Sequence, residues 1–283
     1  MDEEIKILPL AEQLEKEKIK FVGLSVSRES PQKIRVYVEN EEQAQEVKNY
    51  LFAQGYKEVE IKIIGKIEPL LIEKTLALEP FKITKFQPTK EKEIIGGISV
   101  GGYETKFTGT LSVISKKDIG ITAWHVIPQD KNIIHPGTID GGDISDKIGN
   151  FKEHFIDKNI DLATFELLPE VPRKQNYVKV IGEVAGYVEP SNVLIGQEVE
   201  KYGRTSKYSK GKIYDKDVIV RVQYHDKVRL VPNCYIIEPS IGLPGDSGSL
   251  VTRIDAYAIG LLIAGNNLVT VVQHSEELKN LLS

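Results

Sequence analysis

The sequence has a single cysteine, a single methionine and a single tryptophan in 283 residues. A lone Cys234 cannot close an internal disulfide, so the fold must rest on packing, as in a reducing compartment. An excess of one charge is also missing. Lys and Arg number 37 against 41 Asp and Glu, a formal net charge of -4, which leaves no electrostatic footprint for nucleic acid or an anionic membrane. No apolar run approaches the roughly 18 residues of a membrane span. The opening MDEEIKILPLAEQLEKEKIK has neither the basic start nor the apolar core of a secretory signal. These absences lead to the expectation of a cytoplasmic protein with no nucleic-acid and no membrane partner, leaving a homo-oligomer open.

Metal-ligand patterns are scarce too. His135, His154, His225 and His274 have no Cys or His at zinc spacing. DGGDISD offers Asp140, Asp143 and Asp146 without the regular spacing and terminal Glu of a calcium loop, and reads as a solvated turn. Cys234 in VPNCYIIE has no histidine motif beside it and reads as a core residue. No metal and no cofactor is expected.

The first part of the chain alternates helix and strand. PLAEQLEKEK and EEQAQEVKNYLFAQG read as helices, the second closed by Gly55, while KFVGLSVS, KIRVYVE and KEVEIKIIG read as strands. This predicts a small α/β domain over 1–75, followed by a Pro-containing, charged connector over 76–93. From 94 to 283 the pattern becomes short apolar runs broken by Gly, Pro, Asp and Asn, among them GTLSVIS, GITAWHVI, DLATFEL, DVIVRVQY and AIGLLIAG. Many short strands with turn signals predict a β-barrel or sandwich region. Only SEELKNLL at the end reads as helix, with Ser275 as its N-cap.

The densest chemical signal is GLPGDSGSLV, with Ser247 between an acid and a glycine. A serine hydroxyl is a poor nucleophile until a base takes its proton and donors face the oxyanion that forms. Gly245 and Gly248 free the backbone to turn so that main-chain N–H groups can face such an oxygen. A nucleophile of this kind requires a histidine and an acid, and ITAWHVI and NIDLATF supply His125 and Asp161 upstream.

The order His125, Asp161, Ser247 and its surroundings resemble the chymotrypsin-like (trypsin-fold) serine peptidases over about 190 residues, from Ile94 to the end. IIGGISVGGYETKFTGTLSVI, HPGTIDGGDISDKIGNF, NIDLATFEL and VEKYGRTSKYSKGKI look like segments of a prokaryotic trypsin-like group related to the plant Narrow Leaf proteins. VGLSVSRESPQKIRVYVE resembles the stretch that precedes the protease in that group. The resemblance implies a mainly β chain: a trypsin-like double β-barrel, divided near 175–190, carrying the N-terminal α/β domain. It implies a serine endopeptidase acting on peptide or protein substrates through an acyl-enzyme. In it Ser247 is the nucleophile, His125 the base and Asp161 the orienting acid, with the N–H groups of Gly245 and Ser247 as the oxyanion hole.

Three departures stand out. Bulky Trp124 precedes the histidine, no cysteine pairs brace the barrels, and Asp246 has no evident partner. Secreted zymogens of this fold pair the acid before the serine with an N-terminal ammonium created by cleavage. EIIGG at 93–97 imitates such a terminus, but it aligns with an uncleaved segment of the related group, so no activation cleavage is expected there. In this fold the pocket for the acyl-side residue would be formed by SIGLP and IAGNN. Ile241 and Ile263 would wall it, and Gly242, Ala264 and Gly265 would leave space for Leu, Met or Phe. A Lys or Arg buried there would be unpaired. A shift of alignment by a position or two would bring in the Asn266 amide. Arg204 in GRTS reads as a packing or pairing residue. The competing reading is a catalytically weak or inactive protease-fold binding or scaffold protein that acts through its N-terminal domain.

Overall fold

The computed structural model describes residues 6–26, 33–70, 72–73 and 90–283. Most of the expected 76–93 connector, including the domain boundary at 75, lies outside the described residues. Among those described, no helix is long and apolar enough to cross a membrane.

Two β-barrel sheets carry most of the region from 94 onward, beside a three-stranded sheet of Gly182–Glu183, Arg173–Val178 and Ile94–Gly96. In the eight-stranded sheet, Phe107–Thr110, Ser99–Gly102, Asn132–Ile134, Lys147–His154, Ala163–Leu167, Ile119–Thr122 and Val113–Ile114 follow one another, with Ile72–Glu73 added beside Phe107–Thr110. The second barrel runs Glu198–Gly203, Leu250–Arg253, Tyr257–Gly265, Thr270–Gln273, Val228–Glu238 and Lys207–Gln223. It closes where Lys207–Gln223 pairs back onto Glu198–Gly203. Central strands such as Ile119–Thr122 and Thr270–Gln273 are buried at every position, which is why they read as apolar runs without alternation.

The N-terminal unit is built onto this second sheet. Strand Gly23–Val26 pairs antiparallel with the far half of Lys207–Gln223, Gly23 opposite Val220 and Leu24 opposite Ile219. Lys33–Val38 pairs with it on the other side, and Glu58–Ile63 then lies parallel to Lys33–Val38, reached through helix Glu41–Ala53 as a parallel pair requires. Asn40 caps that helix by accepting from Gln43 N–H at 3.0 Å, and Gly55 turns the chain beyond it at φ +92°. Helix Ile7–Lys16 buries Leu10, Ala11 and Leu14, and the longer helix buries Val47 and Leu51. Both pack on Leu24, Ile34, Val36 and the barrel's Ile219.

A buried carboxylate locks the junction. Asp215, on the barrel strand, accepts from Ser25 Oγ and Tyr37 Oη, each at 2.6 Å, and pairs with Arg35 at 3.1 Å. All three donors belong to the N-terminal strands. A buried carboxylate is tolerated only when paired and hydrogen-bonded, so separating the unit from the barrel would strand this charge.

Candidate active site

Strand Ile119–Thr122 ends in the 3-10 turn Trp124–Val126, which directs His125 into the interior. Thr122 lies opposite Ala163, and this register brings Asp161, two residues before Ala163, beside the turn. Asp161 Oδ2 lies 2.5 Å from His125 Nδ1 and accepts from Tyr224 Oη at 2.9 Å; Oδ1 accepts from His125 N–H at 3.2 Å. Asp161 N–H in turn donates to Gln273 Oε1 at 2.8 Å. Burial, and the carboxylate beside it, push the Tyr224 hydroxyl well above its ordinary range, so it stays a donor. Trp124 is packed between Tyr224 and His225, at ring separations of 5.9 and 5.2 Å, with Arg229 over its face. It fills the barrel wall.

The turn around Ser247 needs left-handed backbone at both flanking glycines, φ +100° at Gly245 and +91° at Gly248. A side chain at 248 would also meet Thr110 O at 2.3 Å. Thr110 clamps the turn, its N–H donating to Ser247 O and its hydroxyl to Gly245 O, each at 2.8 Å. The N–H groups of Gly245 and Ser247 converge on one oxygen, the carbonyl of Leu70, at 2.6 and 3.1 Å. Ser247 Oγ donates to Ile263 O at 3.3 Å. His125 Nε2 is buried with no hydrogen-bond partner among the described residues. The structure thus joins His125 to Asp161 and seats Ser247 in a turn with two converging donors, with no hydrogen bond drawn between His125 and Ser247.

Asp246 points away from this site, into the barrel. It accepts from the N–H groups of Thr205 (2.8 Å), Leu243 (2.9 Å) and Ser206 (3.2 Å) and pairs with Lys201 Nζ at 3.0 Å, both side chains fully buried. Lys201 was missed as a site residue. The clue was its place in EVEKYG, where alternation puts a lysine on the same inward face as Val199 and Gly203. The ammonium needed to hold Asp246 is therefore supplied internally. Ile94 is a buried strand residue whose N–H donates to Pro172 O at 2.8 Å. Burial lowers the Lys201 pKa from its ordinary value, outweighing the opposing pull of Asp246. Charge is lost as pH rises through a lowered pKa, so the turn should loosen, and any activity should decline, at a pH below the ordinary lysine range. Lys201→Arg should move that alkaline limb upward, because arginine stays charged. A pH profile of kcat/KM identical in both forms would refute the link.

The expected pocket residues divide. The Leu70 side chain is 5% exposed and clusters with Ile241 and Leu262. A methyl group added at Gly242 or Gly265 would stand 2.8 or 3.3 Å from Leu70 Cδ1. Ile263 and Ala264 instead belong to the larger core around His125, and Ile263 presents its carbonyl to Ser247. Leu262, one residue earlier, is the neighbour that shares a buried cluster with Leu70. Asn266 is outside the pocket: its Nδ2 donates to the carbonyls of Ile64 (2.7 Å) and Lys66 (3.0 Å). Arg204 donates from Nε to Asp140 at 2.6 Å, a side-chain pair buried between the barrels. Asp143 caps a 3-10 turn and Asp146 completes its capping box. No group of three or more metal-ligating side chains gathers among the described residues.

No family model and no curated protein matches the sequence. Solved structures do. A glutamic acid specific serine protease, described as using a novel histidine triad in substrate binding, matches with TM-score 0.50 and 19% identity, over 65% of this chain and 95% of that one. Cellulomonas bogoriensis chymotrypsin matches with TM-score 0.48 and 18% identity over 66% and 93%, and Thermobifida fusca protease A with 0.48 and 19% over 66% and 94%. These neighbours are chymotrypsin-like serine proteases at low identity. The likeness is one of fold: the chain is mainly β and carries the trypsin-like double β-barrel.

Proposed function

We propose that the chain is a serine endopeptidase with Ser247 as nucleophile, His125 as base and Asp161 as the acid that orients it. The observation that carries this reading is the convergence of two main-chain N–H groups on a single carbonyl oxygen, beside a buried His–Asp pair whose second ring nitrogen has no hydrogen-bond partner among the described residues. That carbonyl stands where a scissile carbonyl would be held.

In the reaction Ser247 turns about χ1, away from Ile263 O, and gives its proton to His125 Nε2 as Oγ attacks. The developing oxyanion rests between Gly245 N–H and Ser247 N–H, worth on the order of 3 kcal/mol per donor. Asp161 fixes the tautomer with the proton on Nδ1 and stabilises the imidazolium. His125 then protonates the leaving amine, and a water molecule, activated in the same way, releases the acyl group. The apolar surroundings of Leu70, with Ile241, Leu262, Gly242 and Gly265, favour substrates with a medium apolar side chain on the acyl side. The α/β domain of 1–75 is read as an accessory unit of the protease at 94–283, and the buried lone cysteine supports a cytoplasmic setting.

A fluorophosphonate probe tests the assignment, applied to the chain with Leu70→Glu so that the pocket is vacated. Ser247 alone should be labelled, as seen by peptide mass mapping. No label, or a label on another serine, would leave a protease-fold binding protein acting through its N-terminal domain.

A further inference from the structure

The carbonyl between Gly245 and Ser247 belongs to the chain itself, and the described residues on either side of it are paired as a substrate's would be. Upstream of Leu70, Pro69 and Glu68 pair antiparallel with Ala264 and Gly265, the strand that borders the pocket. Downstream, Ile72 and Glu73 pair antiparallel with Thr108 and Phe107, in the other barrel. The run is thus paired with one barrel before Leu70 and with the other at Ile72 and Glu73, and Leu70 fills the apolar pocket with its side chain and the donor pair with its carbonyl. A segment that merely crossed a groove would be satisfied by the flanking strands. Nothing in that role would place one carbonyl on both N–H groups of the nucleophile turn.

We propose that the Leu70–Leu71 bond is a substrate of this chain's own site, cut within the same molecule. The inference rests on the function proposed above. Ser247 Oγ bonds to the Leu70 carbonyl carbon, the bond from that carbon to the Leu71 nitrogen breaks, and the serine proton passes through His125 to the Leu71 amine. Water then adds to the same carbon and the bond from that carbon to Ser247 Oγ breaks, a proton of the water passing through His125 to Ser247 Oγ. One water is consumed, and the products are a Leu70 carboxylate and a Leu71 amine. In the resting arrangement Ser247 Oγ donates its hydrogen bond to Ile263 O, so the hydroxyl must turn before the intact chain is cut. The pieces 1–70 and 71–283 stay associated, because Gly23–Val26 remains in the barrel sheet and Asp215 keeps its three donors. This cut differs from the zymogen-like position at Ile94, where no activation cleavage is expected.

Intact mass and N-terminal sequencing of the purified full chain, followed over time at several concentrations, test the proposal. We expect fragments 1–70 and 71–283, appearing with first-order kinetics at a rate independent of protein concentration and co-eluting under native conditions. Ser247→Ala should stay whole, even when mixed with wild type. Leu70→Met should be cut like wild type, and Leu70→Glu more than about a hundredfold more slowly, since a carboxylate would enter an apolar pocket unpaired. A wild-type chain that stays whole while it hydrolyses peptides with an acyl-side leucine would overturn self-cleavage and leave the protease reading standing. Absence of cleavage together with absence of probe labelling in both wild type and Leu70→Glu would remove both. Cutting at another bond, cutting that persists in Ser247→Ala, or a rate that climbs with concentration would also overturn the proposal.

Discussion

Ser247→Ala is expected to lower the turnover of a peptide with leucine on its acyl side by about 10^6-fold, the scale seen when a nucleophile of this type is removed from its triad. The substitution deletes one oxygen, and its loss frees only the Ile263 carbonyl. Gly245 N–H, Ser247 N–H and the pocket all remain, so a residual acceleration of about 10^3 to 10^4 over water should survive, which is what positioned donors and binding supply without a nucleophile. Single-turnover rates with a chromogenic peptide measure this directly. A loss smaller than about tenfold would mean that hydrolysis, where present, arises elsewhere.

Asp161→Asn is expected to cost about 10^4-fold in kcat with the fold intact. The asparagine oxygen can take the Oδ1 place and still accept from His125 N–H, while its amide takes the Oδ2 place, where the Tyr224 hydroxyl turns from donor to acceptor, so the buried site keeps most of its hydrogen bonds. What changes is the partner of His125 Nδ1, now 2.5 Å from a carboxylate oxygen. An amide N–H in that place makes Nδ1 the acceptor and moves the ring proton to Nε2, where it blocks uptake of the serine proton. The positive charge that develops on the ring also loses its counter-charge in a site where neither side chain is exposed. Thermal unfolding should shift by only a few degrees, and a variant that retained a tenth or more of the wild-type kcat would show that Asp161 does not orient the base.

Features written in a few adjacent residues were legible before the structure. GDSGS forms a turn because two glycines take positive φ, ITAWH reads as a buried strand running into a turn, and the Asn40 helix, Gly55 and Ser275 follow local capping rules. Features made by distant residues were not. Asp215 sits among KIYDKDVIV, which looks like an interrupted strand, and its purpose is apparent only when Ser25, Arg35 and Tyr37 arrive from the other end of the chain. Leu262 shares a cluster with Leu70 while Ile263 lies in the other core, because neighbouring strand residues face opposite ways, a difference that a strand sequence alone leaves open. IEPLLIE, at the end of the 1–75 unit, gives no clear strand pattern because Pro69 weakens it. Its pairing partners lie as far away as Gly265.

Asn266 grips the chain at Ile64 and Lys66, directly beyond the last strand of the α/β unit, so Leu70 can never drift far from the groove. Such a short tether holds its end at a local concentration of the order of millimolar. While the chain is whole, a peptide from solution competes with that resident end, and its apparent affinity falls in proportion to the fraction of time the groove stands empty. In the proposed protease, throughput is then set partly at the Asp215 junction: whatever strengthens the anchorage of the N-terminal strands there lengthens residence in the groove and throttles turnover, although no residue that meets the substrate has changed.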